Sequence, residues 1–304
     1  MTDPPTRPFD ATPTAAATMA IRLERDALRV SGPDTIAFLQ GQLSQDVAAL
    51  AVGTAAWSLL LQPQGKVDAL LRVLRLGEAE VVLDVDGGYG DAVRARLERF
   101  KLRTRCTLEA MPAWTCVAVR GPGAAEVGVP GGVLAIDPRW PSLEGVDLLG
   151  EAVALPEAIP VAEIDAYEAL RIEAGVPKLG AELTERTIPA EAGRWLIDAS
   201  VSFTKGCYTG QELVARIDSR GGKVARNLRG VVIEGDRAPP AGAALFAPDG
   251  RELGSLTSVA HSSRLASLVA LAYVPRAVVP PVRALVRWEG AEVGANVELL
   301  PLVG

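Results

Sequence analysis

Residues 203–216 read FTKGCYTGQELVAR, and within them Lys205 to Glu212, KGCYTGQE, carries the densest chemistry in the chain. Cys207 follows Lys205 by two positions and precedes Tyr208, with Gly206 and Gly210 on either side. Gln211 and Glu212 then open an apolar-periodic run through Leu213, Val214 and Ile217. A nearby ammonium favours the thiolate form of a cysteine. Glycines admit backbone conformations closed to other residues and let a ligand approach the main chain. A tight glycine loop running into a regular element, with polar groups at the junction, suits a small-molecule site. The same residues also suit a buried cysteine in a turn, because free cysteine is among the most buried residue types. The residues alone leave both readings open.

Working outward, the 304 residues suffice for two or three compact domains. Hydrophobic content of 49% and charged content of 22% are ordinary for a globular protein. No run approaches the roughly 18 uninterrupted apolar residues of a membrane span. The formal net charge of −6 argues against a surface devoted to nucleic acid, so neither a membrane nor direct nucleic-acid binding is expected. Arg216, Arg220, Lys223, Arg226 and Arg229 do cluster after the opening stretch. They read as a solvated strand edge, and Arg216 would also attract an anionic ligand tail. Three cysteines, Cys106, Cys116 and Cys207, form neither an even disulfide framework nor a CxxC pair, which suits a reducing cytoplasm. The single histidine, His261, argues against a zinc site or a Ser-His-Asp triad, so no metal is expected, and it reads as a surface residue.

In chain order, residues 1–19 lack periodicity and lack the basic start and apolar core of a secretory signal, so they read as a disordered tail. IRLERDALRV reads as a strand pair, and residues 31–50 as a helix entered at Pro33-Asp34, with Ile36, Phe38, Leu39, Leu43 and Val47 on its buried face. AAWSLLLQ, VDALLRVLRL and AEVVLDVD read as strands, and DAVRARLERFKLR as a helix burying Val93, Leu97 and Phe100. Short strands follow at TRCTLEAM, WTCVAVRG and either side of Asp137-Pro138. AEIDAYEALRIEAG reads as a helix with Ile164, Tyr167, Leu170 and Ile172 inward, stopped at Gly175 and Pro177. ELTERTIPAEAG reads as extended and polar. From about Asn227 six short strands with turns between them predict a small all-β barrel or sandwich. The expected organisation is therefore a tail at 1–19, an α+β region of two lobes at 20–226 and a β-barrel at 227–304.

KGCYTGQE resembles the K-G-C-Y-x-G-Q-E signature of the YgfZ-type folate-binding proteins, which include mitochondrial iron–sulfur assembly relatives and are similar to the glycine-cleavage aminomethyltransferases. FLQGQLSQDV, QPQGKV, YEALRIEAGVPKLG, TIPAEAG and GSLTSVAHS with LVALAYV extend the resemblance over about residues 20 to 300. It implies a three-lobed aminomethyltransferase-like fold with antiparallel sheets, a C-terminal small β-barrel and tetrahydrofolate, or a one-carbon derivative, at the centre. It further implies a role with iron–sulfur client proteins, among them radical enzymes that modify tRNA. Glu173 and Glu212 are the carboxylates suited to a pterin's adjacent N–H donors. Tyr208 offers a ring face, and Arg171 a fork for the folate tail. Gly206, Gly210 and Gln211 would complete the binding loop, with Cys207 and Lys205 as the reactive pair.

Two departures bear on activity. The aspartate that assists at the reactive folate nitrogen in the aminomethyltransferases aligns with Leu70, two positions beyond Asp68, and DPRWPSLEG stands where their acidic glycine motif is expected. Whether the chain is an enzyme is thus left open. The leading expectation is a folate-dependent iron–sulfur maintenance factor with an exposed, functional Cys207. The alternatives are an aminomethyltransferase or demethylase acting on a small amine, and a folate-storing protein with a buried thiol. One cysteine cannot supply the usual four thiolates of a cluster.

Overall fold

The computed structural model describes residues 17–304. Most of the stretch expected as a tail therefore lies outside the described residues, and the first strand opens at Met19. Three antiparallel β-units carry the architecture. The first is a sheet of β2 (Arg25–Ser31), β3 (Ala55–Leu61), β4 (Val67–Gly77), β5 (Glu80–Asp86) and β6 (Thr107–Ala110), ordered β3-β4-β5-β2-β6. The second is β1 (Met19–Leu23), β7 (Trp114–Arg120), β8 (Leu134–Ile136) and β9 (Gly145–Glu151), ordered β1-β7-β9-β8. IRLERDALRV does form two strands, but they enter different sheets instead of pairing with each other.

Four helices cover one face of the five-stranded sheet: α1 (Thr35–Gln42), α2 (Gly90–Phe100), α4 (Arg194–Ser200) and α5 (Gln211–Ser219). Leu39, Leu97, Leu196 and Val214 are their anchors in this core. The opposite face meets the four-stranded sheet through Ala27, Leu74 and Val82 against Trp114, Cys116 and Leu149. Cover on both faces explains why β3, β4 and β5 read as near-continuous apolar runs instead of alternating ones. The helix expected over residues 31–50 is shorter. Leu43 turns extended and bridges Leu60, and Ser44 Oγ donates to Ser200 O while accepting from Leu59 N. Its expected inward residues stay buried except the half-buried Ile36. In α2, Val93 and Leu97 are buried, whereas Phe100 is exposed beneath the Arg96 guanidinium.

The third unit is a closed barrel of β10 (Arg226–Ile233), β11 (Ala244–Phe246), β12 (Glu252–Ser262), β13 (Ser267–Pro275), β14 (Val282–Trp288) and β15 (Ala291–Glu298), ordered β10-β13-β12-β11-β14-β15. Its interior is filled by side chains such as Val231, Ile233, Leu245, Val286 and Val297, as a barrel this narrow requires. Helix α3 (Ile164–Ala174) is wedged between units. Tyr167, Leu170 and Ala174 face the four-stranded sheet, while Ile172 packs on the barrel with Leu228, Leu271 and Tyr273. A helix covered on several sides buries its charged residues too, and Arg171 and Glu173 are 3% and 2% exposed. Ile164, expected inward, stands at the solvent-facing start of α3, 52% exposed. The polar ELTERTIPAEAG stretch is only partly solvated: Glu182, Thr187 and Glu191 are buried, while Glu185 and Arg186 are exposed. No helix among the described residues is long and apolar enough to cross a membrane.

Candidate functional site

The KGCYTGQE loop closes on the end of α1. Lys205 Nζ donates to the carbonyls of Gln40, Leu43 and Gln45 at 2.7, 2.6 and 2.9 Å, using all three ammonium hydrogens. These acceptors surround the negative end of the α1 dipole, where a cation is favoured. Thr209 N adds a bond to Gly41 O at 3.1 Å. Burial pulls the Lys205 pKa down to about 8, against the opposing attraction of Asp46. The ammonium therefore holds the loop against α1. Tyr208 is half-buried against the helical core, with the Lys205 ammonium 5.0 Å from its ring centre, and burial raises its hydroxyl to about 12.

The two glycines of the loop differ. Gly210 has φ +81°, and a Cβ there would collide with the Gln62 carbonyl and stand 2.8 Å from Leu61 Cβ. Its partner across the contact, Gly65, has φ +80° and would meet Leu213 Cβ at 2.6 Å. The QPQG turn and the signature thus pack backbone to backbone. Gly206 has open space around it. Gln211 Oε1 accepts from Tyr208 N at 3.1 Å, closing the loop onto α5. Cys207, Glu212 and Arg216 are exposed. The loop is a rigid mount for an accessible thiol, and Cys106 and Cys116, by contrast, are buried.

A large cavity lies elsewhere. It measures about 780 Å³, within the range of small-molecule sites, and sits where the two sheets meet α3. None of Lys205 to Arg216 lines it. Its floor is an ionic network linking the sheets. Arg72 in β4 donates to Asp84 in β5 through Nε at 2.8 Å and to Asp147 in β9 through Nη1 at 2.5 Å. Asp84 also accepts from Arg25 and, at 3.0 Å, from Trp114 Nε1. Arg25 pairs in addition with Asp86, and Arg120 Nη1 reaches Asp147 at 2.7 Å. Arg72, Asp84, Arg120 and Asp147 are at most 2% exposed. Burial opposes ionisation of Asp84, yet Arg25 and Arg72 hold it below the usual carboxylate range. Asp147 is depressed likewise, Arg120 and Arg72 outweighing burial. Cys116, 3.5 Å from Arg72 Nη2, is pushed by burial to about 11 and is an inert thiol.

Aromatic rings complete the walls. Arg120 lies 4.3 Å from the Trp140 ring centre and 5.5 Å from that of Tyr167, and Arg72 lies 5.3 Å from Trp57. Arg120 Nε is buried with no hydrogen-bond partner among the described residues. Such orphaned buried donors are rare in folded proteins.

Of the residues expected to bind a ligand, only Arg171 lines this cavity. Its guanidinium is already engaged by Glu168 at 2.9 Å, Glu182 at 3.1 Å, Ser258 at 2.8 Å and Val176 O at 2.6 Å. Glu173 points to the barrel, accepting from Ser262 at 2.6 Å and Arg264 at 3.0 Å, and burial raises its pKa despite both partners. Arg72, Arg120, Asp147, Trp57, Trp140 and Tyr167 were missed. The available signal was a charged residue inside each of three apolar strand runs, which a buried strand tolerates only with a partner. Asp68 pairs with Arg96 at 3.1 Å outside the cavity, and Leu70 takes a place in its lining. Among the described residues, no group of three or more His, Cys, Asp or Glu is arranged to hold a metal ion.

The model of the GCVT N-terminal domain matches residues 16–128, and that of the glycine cleavage T-protein C-terminal barrel domain matches residues 226–303. A tRNA-modifying protein YgfZ of Yersinia pestis is 27% identical over 77% of this chain and 78% of its own length. The chain is a YgfZ-type member of the aminomethyltransferase family. An iron–sulfur cluster assembly factor IBA57 homolog of Mycosarcoma maydis is 31% identical, a match spanning 65% of this chain and about half, 53%, of that relative. The glycine cleavage system aminomethyltransferase T of Bartonella henselae shares the fold, with a TM-score of 0.77 at 23% identity over 95% of this chain and 87% of its own. Within this YgfZ-type fold the signature cysteine and the large cavity are two separate features joined through β3 and the QPQG turn.

Proposed function

We propose that the chain binds a reduced folate in the 780 Å³ cavity and supports assembly or repair of iron–sulfur proteins, with Cys207 as its exposed working thiol. The observation that carries the folate reading is Arg120, whose Nε lacks an acceptor beside two aromatic rings. A pterin offers both a flat face for Trp140 and Tyr167 and a ring carbonyl as acceptor. Glu168 and Asp86, also in the lining, are the carboxylates suited to its N–H donors. Bound there, a reduced folate supplies a carrier for one-carbon units. The iron–sulfur role draws on the YgfZ and IBA57 relatives, and client proteins and tetrahydrofolate are the partners it implies.

The residues favour binding over group transfer to an amine. Asp147 and Glu168 are both held below the usual carboxylate range, by Arg120 with Arg72 and by Arg171 with Lys178, against burial. Such carboxylates are weak general bases at neutral pH, and Leu70 occupies the lining position aligned with the transferases' aspartate. The test is a tetrahydrofolate titration of the wild type and of Arg120→Met. Loss of one charged hydrogen bond should weaken binding at least tenfold. Equal affinity of the two would remove Arg120 and the cavity from the reading. Release of a methylene-folate on adding an amine donor would restore the transferase alternative.

A further inference from the structure

A second cavity of about 450 Å³ opens on the other side of α5, between α4, α5 and the start of the barrel. Ile197, Phe203, Val214 and Ile217 form its apolar side, and Arg194, Asp218, Asn227 and Arg229 its polar side. It shares no lining residue with the larger cavity. One cation, Arg229, lines it without a counter-ion. Among the described residues Arg229 forms no ion pair; its Nη1 donates to Leu228 O at 3.0 Å, and its Nε has no partner. Burial lowers its pKa, the direction expected for a desolvated cation that nothing nearby neutralises. The other cation of the lining, Arg194, is committed to Asp198 at 2.8 Å. Asp218, exposed in the same lining, repels any anion, and a dianion more than a monoanion.

A pocket of ligand size with one apolar side and one half-buried guanidinium outside any ion pair is matched by a compact apolar body bearing one anionic fork. We propose that this cavity is a second ligand site, which takes a small monocarboxylate with a flat or aliphatic body, its carboxylate paired with Arg229 and its body against Phe203, Ile197 and Val214. The site is independent of the folate reading. Phe203 and Val214 belong to the loop and helix on either side of Cys207, so an occupant sits directly behind the mount of the thiol.

The probe pair is naphthalene-1-acetate and its amide, equal in shape and different in charge, titrated against the full chain by calorimetry. The acetate is expected to bind with a Kd of about 1 mM or below, and the amide at least tenfold more weakly, as loss of a charge-assisted pair dictates. Arg229→Met should bring the acetate to the level of the amide, while Arg229→Lys keeps the preference for the acid. Ile217→Trp, which fills the cavity, should abolish binding of both. Thermal melts check that each variant folds, and Arg229→Met is expected to melt close to the wild type, since the half-buried charge it removes has no ion-pair partner. Equal binding of acid and amide, an unchanged acetate affinity in Arg229→Met, or no binding of either compound up to about 10 mM would overturn the proposal.

Discussion

Asp147→Asn should be the most costly single polar change in the cavity floor. Asp147 accepts from Arg72 at 2.5 Å and from Arg120 at 2.7 Å, and all three side chains are at most 3% exposed. Arg72 keeps Asp84 at 2.7 Å after the change. Arg120 keeps only the carbonyls of Val119 and Val146, with its Nε already unpartnered. Breaking a buried pair from one side leaves an uncompensated charge and costs about 3–5 kcal/mol, a large part of the roughly 5–15 kcal/mol by which a domain is stable. Urea denaturation should show the midpoint falling by about 1 M or more at unchanged slope. Removing both charges at once, Asp147→Leu with Arg120→Met, should recover most of that loss, because apolar replacement of a buried pair is close to neutral. The double variant thus separates stability from binding: it should fold well and bind tetrahydrofolate poorly. A single variant within about 1 kcal/mol of the wild type, or a double variant no more stable than the single, would refute the account of the network.

Other changes test the loop and the network independently. Gly210→Ala should destabilise by about 2 kcal/mol or more, through left-handed backbone strain and collision with Gln62, while Gly206→Ala stays within about 0.5 kcal/mol; equal costs in denaturation would contradict the packing described. Lys205→Met removes the ammonium from the carbonyls of Gln40, Leu43 and Gln45, so limited proteolysis within residues 203–209 should quicken about tenfold, and a wild-type rate would mean that the ammonium does not hold the loop. Asp84 and Asp147 have folded pKa values below their unfolded values, so their stabilisation is complete above about pH 4 and is lost as pH falls further. The urea midpoint should therefore drop in acid, less so in Asp147→Asn, and a midpoint that rises on acidification would be incompatible with this sign.

The strands were legible because their residues are buried on both faces or alternate in a closed barrel, and both patterns survive in the linear text. The barrel's six strands match the six stretches read after Asn227. Less legible was anything set by partners distant in sequence. Arg72 sits in VDALLRVLRL as an oddity whose meaning is Asp147, 75 residues on, in another sheet. The helix over residues 31–50 was read too long because the Leu43–Leu60 bridge that ends it is tertiary. Arg171 and Glu173 are two apart on a helix, and residues so spaced do not face each other. They face a cavity wall and the barrel respectively.

Strand β3 supplies the physical connection between the two features. At one end Trp57 lines the large cavity, with its carbonyl held by Gln45 Nε2 at 3.2 Å and its Nε1 bonded to Pro138 O at 3.1 Å. At the other end Leu61 and Gln62 abut Gly210 at the end of the Cys207 loop. Gln45 O is also one of the three acceptors of Lys205, so the same residue touches the cavity wall and the loop anchor. No signature residue lines the cavity itself. A ligand there therefore cannot shield the thiol by contact and acts on it only by shifting β3 or Gln45. Iodoacetamide labelling of Cys207 should accordingly keep its rate within about twofold on saturation with tetrahydrofolate, since a packed strand moves little on binding. Full protection would mean that folate, or its tail, reaches the loop, and the separation of cavity and thiol would fall.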